Sequence, residues 1–191
     1  MRCLIVAPSV PFQAYRDVVP IGISYISAAL KQADGLEIYN LNLLTPQMTD
    51  QEQTARLLKA VADHKIEAVL SGGAGFNYYA LRLIFKAVKQ CNPEIITITG
   101  GGLVTGDPEP AMQALEFADY GIIGEGEETA VELCLALKGG FSPRRVAGLI
   151  IKDGDHYHVT PARPYMDWKN IPRPDFEGFF PEDPTGMHVL M

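Results

Sequence analysis

Along the first 140 residues, short apolar runs rich in β-branched side chains alternate with longer segments whose apolar positions recur every three or four residues. That is the pattern of repeated βαβ units. The runs Cys3 to Ala7, Leu36 to Asn40, Ala68 to Ser71, Ile95 to Thr99 and Tyr120 to Ile123 are mostly apolar without a two-residue rhythm. They predict strands buried on both faces of a parallel sheet. Between them, Thr49 with Glu52 three residues on reads as a capping box opening a helix toward Val61. Asn77 is placed to cap a helix carrying the stripe Leu81, Ile84, Phe85 and Val88, closed by Asn92-Pro93. Asp107-Pro108 fits an N-cap with a first-turn proline, and Ala130, Leu133, Cys134 and Leu137 form the last stripe before Gly139-Gly140. Pro20 starts the first helix, with Ile23, Ile26 and Leu30 toward the sheet. Five βα units result, an α/β doubly wound parallel sheet of the flavodoxin-like, Rossmann-like kind.

The texture then changes. Val146 to Lys152, a turn at Asp153-Gly154 and His156 to Thr160 predict a β-hairpin that extends one edge of the sheet. From Pro161 onward the chain carries six of its fourteen prolines together with Tyr165, Trp168, Phe176, Phe179 and Phe180. Such a stretch makes no core of its own, yet is too aromatic for a solvated linker. The division expected is a domain over 1–140, a hairpin extension over 141–160 and a proline- and aromatic-rich linker over 161–191, with the chain read as the front part of something longer.

Charge narrows the partners. With 16 Lys and Arg against 23 Asp and Glu, the net charge of −7 leaves no basic surface for nucleic acid or an anionic membrane. At 47% hydrophobic and 20% charged residues the composition is that of a globular protein able to bury a core without staples. Cys3, Cys91 and Cys134 are odd in number, far apart and set in apolar segments, which reads as buried free thiols in a reducing compartment. No signal peptide and no run of about 20 apolar residues is seen, so a cytoplasmic location is expected.

Candidate chemistry concentrates in the glycines. Nine of eighteen fall in three strand-to-helix turns: Gly72, Gly73 and Gly75; Gly100, Gly101, Gly102 and Gly106; Gly124 and Gly126. These turns lie beyond the carboxyl ends of the strands, where doubly wound sheets bind ligands, and glycine there permits close backbone approach. The loop after the first strand, Pro8 to Asp17, has no glycine, so a dinucleotide fingerprint is missing, as is a P-loop. FMN, which flavodoxin-like sheets hold at this edge, stays open. Glu127 and Glu128 suit the first turn of a helix as complements to its dipole, while Glu125 sits in the turn and is free to accept a ligand hydroxyl. Ser71, ending the third strand, is read as directing its hydroxyl to a ligand. His156 and His158 share one face of a strand but lack further metal ligands, and His64 lies at the opposite edge of the sheet.

Pro8, Pro11, Pro20-Ile21-Gly22, Ser71-Gly72-Gly73, Gly100-Gly101-Gly102 and Gly124-Glu125-Gly126-Glu127-Glu128-Thr129, in this order and spacing, resemble the N-terminal cobalamin-binding domain of B12-dependent radical SAM enzymes. The likeness covers about residues 1–140 and continues into Trp168 to Asp175, which is similar to the linker before the radical SAM barrel. The resemblance implies a domain that cradles cobalamin: Ser71, Gly72 and Gly73 along the channel for the nucleotide tail, Gly101 and Gly102 where it passes the backbone, Gly124, Glu125, Gly126 and Glu127 closing the far side, and Pro11 and Gly22 contributing from the first βα unit. It also implies that a [4Fe–4S] cluster and S-adenosylmethionine belong to an absent catalytic domain, the chain's own missing partner, and that the parent is an enzyme of methyltransferase type. The chain has no CxxxCxxC and, by itself, no catalytic residue set. It lacks the DxHxxG sequence of histidine-ligating cobalamin domains, so no protein histidine is expected as lower axial ligand; Gln13 or Tyr15 is placed to approach that face. The alternatives are a cofactor-free docking or dimerisation domain using the apolar tail, and an FMN protein.

Overall fold

The computed structural model describes residues 1–9, 21–44 and 48–179. Five parallel strands form the body of one sheet: β1 (Arg2–Ala7), β2 (Glu37–Asn42), β3 (Ala68–Gly72), β4 (Ile96–Gly100) and β5 (Tyr120–Ile122). A hairpin, β6 (Leu149–Asp153) and β7 (His156–Val159), continues it antiparallel beside β5, giving the order β2-β1-β3-β4-β5-β6-β7. The chain winds outward from β1 to β2, then crosses back to β3 on the other side. The reversal opens a crevice at the carboxyl ends of β1 and β3, where a doubly wound sheet takes its ligand.

Helices cover both faces. On one lie α2 (Asp50–Asp63), α3 (Tyr78–Cys91), α4 (Gly102–Gly106) and α5 (Pro108–Ala114), packing Leu57, Val61, Leu81, Phe85, Val88, Val104 and Met112 against Leu4, Val6 and Val69. On the other lie α1 (Ile21–Lys31) and α6 (Glu127–Gly139), with Leu30, Ala130, Leu133 and Cys134 packed on Cys3, Ile5, Leu70, Ile98 and Ile122. Alternate residues of each central strand therefore serve opposite layers, and both sets are buried, as the unbroken apolar runs require.

Local chemistry sets the helix ends. Thr49 Oγ1 accepts the Glu52 N–H at 3.3 Å while Glu52 Oε2 accepts the Thr49 N–H at 2.7 Å, a complete capping box. Gly140 ends α6 in the left-handed region, φ +70°. Two expected caps do not form. Asn77 Oδ1 instead accepts the Ala74 N–H at 3.1 Å and closes a 3₁₀ turn over Gly75–Asn77, and the Asp107 side chain makes no cap bond. The hairpin loop is Gly154-Asp155, one residue later than the sequence suggests, with Gly154 at φ +61°.

Cys3 and Cys134 are buried, but Cys91 is exposed at the end of α3, contrary to the expectation of three buried thiols. The hydrogen bond with Cys3, and burial, hold the Cys134 thiol well above its ordinary pKa, so it stays protonated. Among the described residues no helix is long and apolar enough to cross a membrane.

Residues 161–179 lie back against the α1 and α6 layer as a strap. Arg163, itself mostly buried, hydrogen-bonds Thr129 Oγ1 at 2.7 Å and pairs with Glu128 at 3.2 Å and with Glu132 on α6. Farther on, the Asp175 carboxylate accepts from Ser27 Oγ at 2.6 Å and Asn40 Nδ2 at 2.9 Å and pairs with Lys31 at 2.8 Å. Phe179 is fully buried beneath it.

Candidate functional site

A cavity of about 360 Å³ opens at the switch point, between the sheet and α1 with the start of α6. Its walls are branched aliphatic side chains: Ile23 and Ile26 from α1, Leu70 from β3, Ile98 from β4 and Ile122 from β5. Leu70 and Ile98 are register partners on adjacent strands, so they form one flat floor. The rim is glycine and backbone, from Gly72 and Gly73, Gly100 and Gly101, and Gly124 and Gly126.

Of the site residues expected from sequence, Gly22, Ser71, Gly72, Gly73, Gly101, Gly124, Glu125, Gly126 and Glu127 line this cavity. Gly102 does not, and Pro11 lies outside the described residues, as do Gln13 and Tyr15. The aliphatic walls were read from sequence only as core or sheet-facing positions. The available signal was alternation, because Leu70 and Ile98 immediately precede the residues that open the glycine turns and must face the layer opposite to Ser71 and Thr99.

The glycines divide into two kinds. A Cβ on Gly72 would stand 2.7 Å from the Gly100 carbonyl oxygen, and one on Gly101 would stand 2.8 Å from the Gly73 carbonyl oxygen, with Gly101 at φ +85°. These residues let two turns touch each other, joined by Gly73 N–H to Gly100 O at 3.1 Å and Leu103 N–H to Gly73 O at 3.0 Å. Gly22 and Gly124 differ: a Cβ on either meets no atom within 4 Å. Both line the cavity, so open room for a ligand lies beside them rather than beside the turn-packing glycines.

The polar groups stand elsewhere than expected. Ser71 Oγ donates to the Val6 carbonyl at 2.8 Å across β1, on the face away from the Leu70 wall, and is not aimed at a ligand. Glu125 accepts the Met166 N–H of the strap at 2.7 Å. Glu128 pairs with Arg163, and Glu127 remains at the rim in the first turn of α6, where a carboxylate complements the helix dipole. Thr99 Oγ1 is buried without a partner among the described residues. His64 stacks on Tyr39, with ring centroids 4.0 Å apart, and His156 and His158 lie on β7; none lines the cavity. No cluster of three or more metal-ligating side chains occurs among the described residues.

A 2-1-3-4-5 sheet with an apolar, glycine-rimmed slot at its switch point defines a cofactor-binding α/β domain of the Rossmann-like class. Residues 12–134 match the B12 binding domain, and the chain belongs to that family. It is 26% identical over 183 residues to an uncharacterised methyltransferase of Pyrococcus horikoshii, covering 93% of this chain and 38% of the relative. To the anaerobic magnesium-protoporphyrin IX monomethyl ester cyclase of Cereibacter sphaeroides it is 24% identical over 148 residues, covering 76% and 24%. The chain thus spans well under half the length of these curated relatives. Among solved structures, the radical S-adenosylmethionine methyltransferase TsrM of Kitasatospora setae, with cobalamin and a [4Fe–4S] cluster bound, superposes with a TM-score of 0.71 at 19% identity, covering 97% of this chain and 32% of that one. The cobalamin-dependent S-adenosylmethionine radical enzyme OxsB, with aqua-cobalamin and S-adenosylmethionine bound, gives 0.72 at 14% identity, covering 92% and 24%. The fold is therefore that of the B12-binding domains in these longer enzymes.

Proposed function

We propose that the chain binds cobalamin, with the nucleotide tail in the slot at the switch point, and that it serves as the cofactor module of a longer radical SAM enzyme of methyltransferase type. The observation that carries this reading is the slot itself. Its volume falls within the range of about 300–1,000 Å³ usual for small-molecule sites, and its aliphatic floor suits a flat, apolar base. The open space beside Gly22 and Gly124 suits the sugar and phosphate that follow the base, a cradle that a side chain at either position would fill.

In this reading Ile23, Ile26, Leu70, Ile98 and Ile122 exclude water from the base, and Glu127 is placed at the rim to accept a sugar hydroxyl. Gly72, Gly73 and Gly101 hold the two turns together and so fix the width of the mouth. Cobalamin, when bound, supplies a cobalt centre able to carry a methyl group. His64, His156 and His158 do not line the slot and residues 8–19 contain no histidine, which supports a reading in which bound cobalamin would take no imidazole from the first βα loop. The methyl acceptor, the iron–sulfur cluster and S-adenosylmethionine are assigned to the remainder of the parent protein, in keeping with the longer relatives.

The test is equilibrium titration of the full chain with hydroxocobalamin, followed by visible absorption and by co-elution in gel filtration. Saturable one-to-one binding with a spectral change is expected. No co-elution and an unchanged spectrum at high micromolar cofactor would overturn the assignment.

A further inference from the structure

We propose that the slot selects among corrinoids by the base that ends the nucleotide tail, favouring the apolar dimethylbenzimidazole of cobalamin over a purine base. This rests on the cobalamin reading above and goes beyond it by assigning a basis for choice among cofactors of the same class.

The argument begins with which polar groups reach the slot. Leu70, Ile98 and Ile122 belong to the α1 and α6 layer, whereas Val6 and Val69 belong to the opposite layer. Strand alternation therefore directs the side chains of Ser71 and Thr99 toward the opposite layer. The Ser71 hydroxyl is also spent as a donor, on Val6 O. At the mouth, the N–H groups of Gly73, Leu103 and Gly124 are already bonded to Gly100 O, Gly73 O and Thr105 Oγ1. Glu125 is engaged by Met166, and Glu127 stands at the rim rather than on the floor. The side chains that form the floor and the α1 wall, Leu70, Ile98, Ile122, Ile23 and Ile26, are all aliphatic.

Such a slot treats two bases differently. The two methyl groups of dimethylbenzimidazole gain from burial, about fourfold in affinity for each fully buried carbon. Adenine brings an exocyclic amine and additional ring nitrogens, and each polar group left unpaired in an apolar site weakens binding by about tenfold. A site built from aliphatic walls rejects a polar analogue on this ground alone. The combined preference is at least about 30-fold.

The experiment titrates the full chain with cobalamin, with the corrinoid carrying adenine in place of dimethylbenzimidazole, and with cobinamide, which has no base. Visible absorption and equilibrium dialysis give the dissociation constants. The expected order is cobalamin tightest, the adenine corrinoid at least about 30-fold weaker and cobinamide weaker than cobalamin by about tenfold or more. Ile26→Asn, which places an amide in the wall from the half-buried face of α1, should narrow the gap between the two tailed corrinoids by about fivefold or more. Ile23→Asn is the companion variant, used if circular dichroism shows that the first does not fold. Equal affinity for the two tailed corrinoids, or cobinamide binding as tightly as cobalamin, overturns the proposal while leaving cobalamin binding in place. A preference unmoved in the folded Asn variant removes the aliphatic wall as its cause. Absence of binding by all three corrinoids overturns the cobalamin reading and this proposal with it.

Discussion

Replacing Gly101 by alanine tests whether the two glycine turns are built on one another. The residue has φ +85° and ψ −168°, a region essentially reserved for glycine, and holding alanine there costs about 1–3 kcal/mol. The new Cβ would stand 2.8 Å from the Gly73 carbonyl oxygen and 2.9 Å from the Gly73 nitrogen. Both are backbone atoms, so relief means moving the turn and weakening the Leu103 N–H to Gly73 O bond, worth about 1 kcal/mol more. The expected loss is about 3 kcal/mol, which for a chain of this size lowers the melting temperature by about 6–12 °C. Thermal unfolding followed by circular dichroism measures it. Gly106→Ala is the control, because a Cβ there meets nothing within 4 Å, and it should shift the midpoint by no more than about 2 °C. If Gly101→Ala melts within about 2 °C of the parent, the contact between turns is not rigid and the fixed width of the mouth fails with it.

Three further outcomes are expected. Thr99→Val removes a buried hydroxyl that has no partner among the described residues and should stabilise the protein by about 1 kcal/mol, raising the melting midpoint by about 2–4 °C; a lower midpoint would show that the hydroxyl is bonded in solution. Burial pushes the Asp175 carboxyl pKa up, but the bonds from Lys31, Ser27 and Asn40 outweigh it and hold the group below its ordinary value. Its contribution is therefore full above the unfolded pKa of about 3.9 and lost as pH falls toward the folded value, so Asp175→Asn should cost about 2 kcal/mol in urea unfolding at pH 7 and much less at pH 3. Of the three cysteines, Cys91 alone should react rapidly with a thiol reagent in the native protein, all three reacting after denaturation; fast native labelling of Cys134 would contradict its burial.

The sheet was legible because its strands announce themselves as apolar runs, and the capping box at Thr49 because two side chains three residues apart do all the work. The reading stopped β3 at Ser71 and β4 at Thr99, one residue early each. Glycine is a poor strand former, yet Gly72 pairs with Gly100 and continues the ladder, at an approach where a Cβ on Gly72 would stand 2.7 Å from the Gly100 carbonyl oxygen. The Asn77 cap is misplaced for a related reason: an Asn before a helix satisfies a tight turn as readily as a helix end, and the choice depends on Gly73, where a Cβ would collide with the Asn77 side chain that closes the turn. Ser71 could have been assigned to the far face by alternation. The docking of residues 161–179 could not, because it depends on Asp175 meeting Lys31, Ser27 and Asn40, three residues that come together only in the folded sheet.

The strap also fixes how the domain bears mechanical load. A pull on the chain at residue 180 reaches Phe179 first, whose carbonyl is held by Asn42 and whose ring is buried, and then the Asp175 clasp on α1 and β2. These anchors lie at the β2 edge of the sheet and take the tension before it can travel farther. Only after they yield does it arrive at Met166, whose N–H is bonded to Glu125 in the turn at the rim of the slot. The clasp thus acts as a strain relief: modest tugging from the C-terminal side is borne at the β2 edge, whereas a pull strong enough to strip Asp175 from Lys31 moves on along the strap, through the turn at Trp168–Asn170, toward the rim.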